Sequence, residues 1–130
     1  MTLRLNQVTL AATDMTASLS FYQNLGLTLI VDSAPRYVRF EFPTPEAGEP
    51  ATLSLHSVDE TWTPHDEQPL IYFEIEDLEA FINKCNLSPI APPEMKSYKW
   101  HEADILDPAG NRIRLYTAGQ NRRFPPWRIS

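Results

Sequence analysis

Between residues 7 and 14 the chain reads "QVTLAATD", with Val8, Leu10 and Ala12 on alternate positions, which predicts a strand closing on an aspartate suited to cap a helix. Met15, Leu19 and Tyr22 then fall at i, i+4 and i+7, one apolar helix face, and Gly26 is placed to end that helix as the C′ residue. Three strand-like runs follow, "LTLIVDS", "RYVRFEF" and "ATLSLHS". The proline-rich, acidic loop "PTPEAGEP" separates the last two.

The second half repeats this order. "LIYFEIED" predicts a strand ending at Asp77, again an N-cap, and Leu78, Phe81, Ile82 and Cys85 give an i, i+3, i+4, i+7 stripe with Lys84 near the helix C-terminus. A strand-poor stretch around "SPIAPPEMKS" leads to a strand "YKWHEADILD", a turn "DPAGN" and a last strand "RIRLYT". The expected fold class is therefore α+β, two βαβββ units forming a cupped mixed sheet. One domain spans residues 1–118, with units at about 3–56 and 69–117, a linker at 57–68 and a tail at 119–130.

Strand parity separates two faces. Val8, Leu10, Ala12, Val38, Phe40, Phe42, Leu53, Leu55, Ile71, Phe73, Ile75, Ala103, Ile105, Ile113 and Leu115 share the helix-facing parity. The opposite parity holds Gln7, Thr9, Tyr37, Arg39, Glu41, Thr52, Ser54, His56, Leu70, Tyr72, Glu74, Trp100, Glu102, Asp104, Arg112, Arg114 and Tyr116. A solvated sheet surface would explain the charges. The aromatics Tyr37, Tyr72, Trp100 and Tyr116 among them point instead to a concave face holding a ligand, with rings to stack and charges to orient.

Composition narrows the partners. The 130 residues carry 42% apolar and 22% charged residues, those of an ordinary globular domain, and 11 − 17 gives a net charge of −6, which disfavours nucleic acid and anionic membrane. The opening "MTLRLNQ" has no basic stretch leading into an apolar one, so no signal peptide is expected, and no apolar run approaches a membrane span. One cysteine, Cys85, excludes an internal disulfide and fits a reducing cytoplasm; its helical spacing assigns it to the core.

"QVTLAATDMTASLSFYQNLGL" resembles the opening of the vicinal oxygen chelate superfamily, which includes glyoxalase I, bleomycin-resistance proteins and extradiol dioxygenases, and "DPAGNRIRLY" resembles its second hallmark before the last strand. The resemblance covers about residues 3–118 and implies a duplicated βαβββ fold. Metal-using members of the family draw four ligands from positions that fall here on Gln7, Ser54, Leu70 and Arg114. Gln7 could offer a carbonyl oxygen, but Leu70 offers nothing, and Arg114 stays protonated and presents only donors. The usual metal site is thus expected to be absent, and no cofactor is expected. A displaced divalent ion on His56, Glu74 and Glu102 remains the alternative.

A guanidinium at position 114 could hold a carboxylate or phosphate, or pair internally with Glu74 or Glu102. The resemblance then implies a small-molecule-binding protein of the bleomycin-resistance type, cytoplasmic and homodimeric. Its ligand contacts are expected from Gln7, Tyr37, Arg39, Ser54, His56, Tyr72, Glu74, Trp100, Glu102, Arg114 and Tyr116. The alternative is a lyase, isomerase or dioxygenase of the same superfamily, metal-dependent or metal-free, whose base would be Glu74, Glu102 or His56. The tail "NRRFPPWRIS" is expected to dock Phe124 and Trp127 on the domain or on a partner subunit, with its arginines near the acidic linker at Asp59, Glu60, Asp66 and Glu67.

Overall fold

The structure, a computed structural model, describes residues 2–43 and 48–129; the middle of the "PTPEAGEP" loop, 44–47, lies outside them. Two compact units emerge. One comprises residues through His65 together with Asp107–Asn111; the other comprises Asp66–Leu106 and the residues from Arg112 onward.

The first unit runs β1 (Gln7–Ala12), α1 (Met15–Asn24), β2 (Thr28–Ser33), β3 (Tyr37–Glu41) and β4 (Thr52–Ser57), with sheet order β1-β4-β3-β2. The second runs β5 (Ile71–Glu74), α2 (Leu78–Lys84), β6 (Glu94–Met95), β7 (His101–Leu106) and β8 (Arg112–Thr117), in the order β5-β8-β7-β6. In each sheet the outer first strand runs parallel to the last strand of its unit, and the other neighbours are antiparallel. This is the α+β, twice-repeated βαβββ plan the patterning predicts.

Local chemistry explains both helices. Asp14 and Asp77 accept the backbone N–H three residues on, at 3.1 Å each, and so satisfy one of the orphan donors of the first turn. Both helices end in a Schellman arrangement: Leu27 N donates to Tyr22 O and Gly26 N to Gln23 O, and likewise Leu87 N to Ile82 O and Asn86 N to Asn83 O. The left-handed C′ position is glycine in one helix (φ 104°) and asparagine in the other (φ 54°). The sequence pattern marks only the glycine.

The helix-facing parity forms the cores. Val38, Phe40, Leu53 and Leu55 are fully enclosed in the first unit, and Ile113 and Leu115 in the second. Helix α1 packs against β4, and α2 packs against β7 and β8.

The "DPAGN" turn is pinned into the first unit through Asp107. One carboxylate oxygen accepts the N–H groups of Ala109 (3.0 Å) and Asn111 (2.8 Å), and the other accepts Tyr22 Oη–H (2.6 Å) and Asn111 Nδ2 (2.9 Å). Asn111 Nδ2 also donates to Ala11 O at 2.8 Å, tying the turn to β1. Burial, and then the charge and hydrogen bond of Asp107, push the Tyr22 phenol far above its ordinary value, so it remains a donor at any working pH. Gly110, at φ 91°, completes the turn by donating to Asp107 O at 2.9 Å.

Candidate functional site

Each unit presents the polar parity of its sheet, and the two polar faces differ. In the first unit the register sets Arg39 across from Ser54, Tyr37 across from His56, and Thr9 and Gln7 on the far side of β4. Ser54 is completely buried and gathers this face: Gln7 Nε2 donates to its Oγ at 3.0 Å, and Tyr37 Oη lies 2.6 Å away. Arg39 Nε donates to Tyr37 Oη at 3.0 Å and more weakly to Ser54 Oγ at 3.4 Å. Gln7 Oε1 accepts from Thr52 Oγ1, which fixes the amide orientation. His56 is exposed at the end of β4.

In the second unit the register sets Asp104 across from Arg114, with Tyr72 on the other side of β8, and Tyr116 between Glu74 and Glu102. Arg114 meets Asp104 through two bonds, Nε to Oδ1 at 2.7 Å and Nη2 to Oδ2 at 2.8 Å. Arg112 Nε adds a third contact to Asp104 at 2.7 Å. Burial alone would raise the Asp104 carboxyl; the hydrogen bonds and charges of Arg114 and Arg112 outweigh it and hold that carboxyl below its ordinary value. The Asp104 hydrogen bond likewise raises Arg114, against the opposing effect of burial.

Internal pairing is therefore the state of Arg114, but its principal partner is Asp104. Glu102 stands second, at 3.6 Å, and Glu74 pairs instead with Arg122, at 3.9 Å on the surface. Asp104 shares the polar parity, yet parity alone does not single it out. A signal is available in the chain. Counting outward from the "DPAGN" turn pairs 106 with 112, 105 with 113 and 104 with 114, which is the hairpin register observed.

Around this ion pair stands an aromatic group. Trp100 and Tyr116 stack with centroids 4.6 Å apart, and Tyr72 meets both edge-on at 5.9 and 5.7 Å. Trp100 Nε1 donates to Asn121 O in the short turn Gly119–Arg122, so the start of the tail closes over this side of the sheet. Farther on, Phe124 and Trp127 are 53% and 58% exposed, and the Arg123 and Arg128 guanidiniums lie over the Phe124 ring at 5.1 and 4.6 Å.

Glu102 is the outlier of this face. It is 4% exposed, and among the described residues its Oε1 has no hydrogen-bond partner. Desolvation first, and then the neighbouring Glu102 carboxylate, push the Tyr98 phenol up to about 12. A buried carboxylate oxygen with an ion-pair neighbour at 3.6 Å but no hydrogen-bond donor among the described residues has unused accepting capacity.

The resemblance places metal ligands at Gln7, Ser54, Leu70 and Arg114, and each can be described by what it contacts. Gln7 and Ser54 are spent on one another and on Thr52 and Tyr37, Leu70 has no donor atom, and Arg114 carries a fixed positive charge bound to Asp104. Glu74 and Glu102 sit on strands either side of β8, roughly 10 Å apart at two strand spacings. Among the described residues no three His, Cys, Asp or Glu side chains are grouped to hold a metal ion.

The sequence matches the family model described as the Glyoxalase/Bleomycin resistance protein/Dioxygenase superfamily over residues 4–115, and the chain belongs to that superfamily. Its fold is similar to that of a glyoxalase/bleomycin resistance protein/dioxygenase from Nocardioides (TM-score 0.71, 16% identity, covering 100% of this chain and 91% of that one). It is also similar to a lactoylglutathione lyase from Agrobacterium tumefaciens (TM-score 0.65, 18% identity, 88% and 92% covered). A third likeness is to a bleomycin-binding protein complexed with bleomycin (TM-score 0.65, 18% identity, 88% and 98% covered). At these identities the likeness is one of fold. No curated protein matches the sequence. Among the described residues no helix is long and apolar enough to cross a membrane.

Proposed function

We propose that this protein binds a small organic molecule against the aromatic face of its second unit, without a metal at the family's usual positions. The observation that carries the reading is the buried Glu102 Oε1, which lacks a donor among the described residues, on the face that holds the rings of Trp100, Tyr116 and Tyr72. A planar ligand bearing an N–H, ammonium or hydroxyl group would supply that donor and stack on the rings, displacing the half-exposed Tyr98. The net charge of −6 favours a cationic ligand, and the bound bleomycin of a structural relative makes bleomycin the first probe.

Titration of the full chain with bleomycin and a panel of planar aromatic amines, followed by tryptophan fluorescence and calorimetry, tests this. Saturable binding that weakens about tenfold in Glu102→Gln supports it, since a charge-assisted hydrogen bond is lost. Binding by none of the probes, or binding indifferent to Glu102→Gln and Trp100→Phe, contradicts it. A homodimer in the cytoplasm belongs to the same reading, and sedimentation of the intact chain tests the assembly.

The same carboxylate favours a second reading, an enzyme that abstracts a proton next to a carbonyl. Of Glu74, Glu102 and His56, only Glu102 combines burial with an adjacent guanidinium that could steady a developing oxyanion. Deuterium exchange into small 2-oxo compounds, present in the native protein and lost in Glu102→Gln, would select this reading over simple binding.

A further inference from the structure

The first unit has a hydroxyl proton that its own network does not use. Ser54 Oγ accepts from Gln7 Nε2 at 3.0 Å and from the bifurcated Arg39 Nε–H at 3.4 Å, and its contact with Tyr37 Oη at 2.6 Å admits either direction of donation. Among the described residues Tyr37 Oη is the one acceptor within reach of the Ser54 hydroxyl. Were Tyr37 the donor, a fully buried serine proton would have no acceptor, and an unmet buried donor is the costly alternative. Burial thus assigns donation to Ser54.

Tyr37 Oη then accepts twice, from Ser54 and from Arg39 Nε at 3.0 Å, and its own proton points out of the network. Arg39 spends only its Nε–H. Its two terminal nitrogens have no hydrogen-bond or ion-pair partner among the described residues, and its guanidinium carbon stands 5.6 Å from the centre of the Tyr37 ring.

We propose that the Tyr37 hydroxyl and the terminal nitrogens of Arg39 form a binding point for an anionic oxygen of a small molecule, a carboxylate or a phosphate, with Ser54 and Gln7 as positioning residues. This site stands on the first unit alone and does not depend on Glu102. Both donors suit an oxyanion: a guanidinium presents a planar pair of N–H groups to it, and a phenol whose oxygen already accepts two bonds is a stronger acid. The Ser54 hydrogen bond foremost, then the hydrogen bond and charge of Arg39, lower the Tyr37 phenol against opposing desolvation. The other titratable groups on this face are His56, across from Tyr37, and Glu41, across from Thr52; on β2, Val31 and Ser33 stand across from Arg39 and Tyr37 and carry no charge.

Calorimetric titration of the full chain with benzoate and with phenyl phosphate tests the site. The variants are Tyr37→Phe, which keeps the ring, and Arg39→Gln, with the surface change Lys84→Gln as a charge control and Arg39→Lys as a partial rescue. The expected result is saturable binding of at least one probe that weakens about tenfold in Tyr37→Phe and in Arg39→Gln, recovers in part in Arg39→Lys, and is unmoved by Lys84→Gln. Tighter binding of benzoate assigns the site to carboxylates, and tighter binding of phenyl phosphate assigns it to phosphates. Failure of both probes to bind at roughly millimolar concentration, or affinities that Tyr37→Phe leaves unchanged, overturns the proposal.

Discussion

The two units share a topology and a register, so their polar faces can be compared position by position. Ser54 on β4 lies between Thr9 and Arg39; Arg114 on β8 lies between Tyr72 and Asp104. The arginine therefore sits on the third strand of one unit and on the fourth strand of the other. Across from Arg39 stands a serine, which can accept a hydrogen bond but cannot neutralise a charge. Across from Arg114 stands an aspartate that takes both of its inward donors. One repeat leaves the terminal nitrogens of a guanidinium without a partner among the described residues; the other locks its guanidinium into the sheet and leaves a carboxylate oxygen, Glu102 Oε1, without a donor among them. The same lattice of positions thus gives one face suited to anions and one suited to donors.

The helices diverge at an equivalent place as well. Eight residues after its N-cap, α1 carries Tyr22, which bonds to Asp107; at the corresponding position α2 is followed by its C-cap, Cys85, a buried thiol. Only the first unit holds the "DPAGN" turn, so the contrast can be broken there with the largest effect. Asp107→Ala removes the acceptor of four hydrogen bonds in a buried setting and is expected to cost about 3 kcal/mol or more of unfolding free energy. Tyr22→Phe, which removes one of them, is expected to cost about 2 kcal/mol in the same urea titration.

Next in size is Asp104→Asn. It strips the charge from the partner of Arg114 and Arg112, and roughly 2 kcal/mol should be lost at neutral pH after allowing for the solvent screening of the half-exposed Arg112. The pH dependence has a definite sign. Asp104 has a folded-state pKa held below its ordinary value, so its contribution is complete above the unfolded value near 4 and is lost as pH falls through the depressed one. Native and Asp104→Asn proteins should therefore differ most at pH 7 and converge toward pH 2, as unfolding midpoints at several pH values would check. A constant gap would mean the aspartate acts through packing alone.

Glu102→Gln keeps the shape and should leave the unfolding free energy within about 1 kcal/mol of the native value while weakening ligand binding about tenfold. A large loss of stability with unchanged affinity would make Glu102 a structural residue. The smallest effect belongs to Arg122→Gln, which breaks an exposed pair at 3.9 Å and should cost less than about 0.5 kcal/mol by the same denaturation.

Much of this is legible in the chain because it is local. A strand's parity depends on its own residues, and the caps Asp14 and Asp77 lie next to the apolar stripes they precede, so most elements, the helix-facing core and the repeat can be read directly; β6, Glu94–Met95, falls instead in the stretch read as strand-poor, and β7 begins at His101 rather than at Tyr98. Asn86 escapes such a reading because asparagine takes the left-handed conformation only sometimes, where Gly26 does so at no steric cost. The site is harder. Parity puts Arg114, Asp104, Glu74 and Glu102 on one face, but parity is blind to which strand neighbours which, and pairing is decided by register. Folding the hairpin about Asp107–Asn111 matches Arg114 with Asp104. That β5 lies beside β8, putting Glu74 two strands away from Glu102, follows from the sheet order and has no signal within either strand.

Asp104 holds Arg114, whereas the terminal nitrogens of Arg39 have no partner among the described residues. Modification by phenylglyoxal, read site by site by peptide mass spectrometry, tests this contrast most directly. Fast modification of Arg39, slow modification of Arg114 and a gain in Arg114 reactivity in Asp104→Asn are expected. Equal rates at Arg39 and Arg114 in the native protein would contradict it.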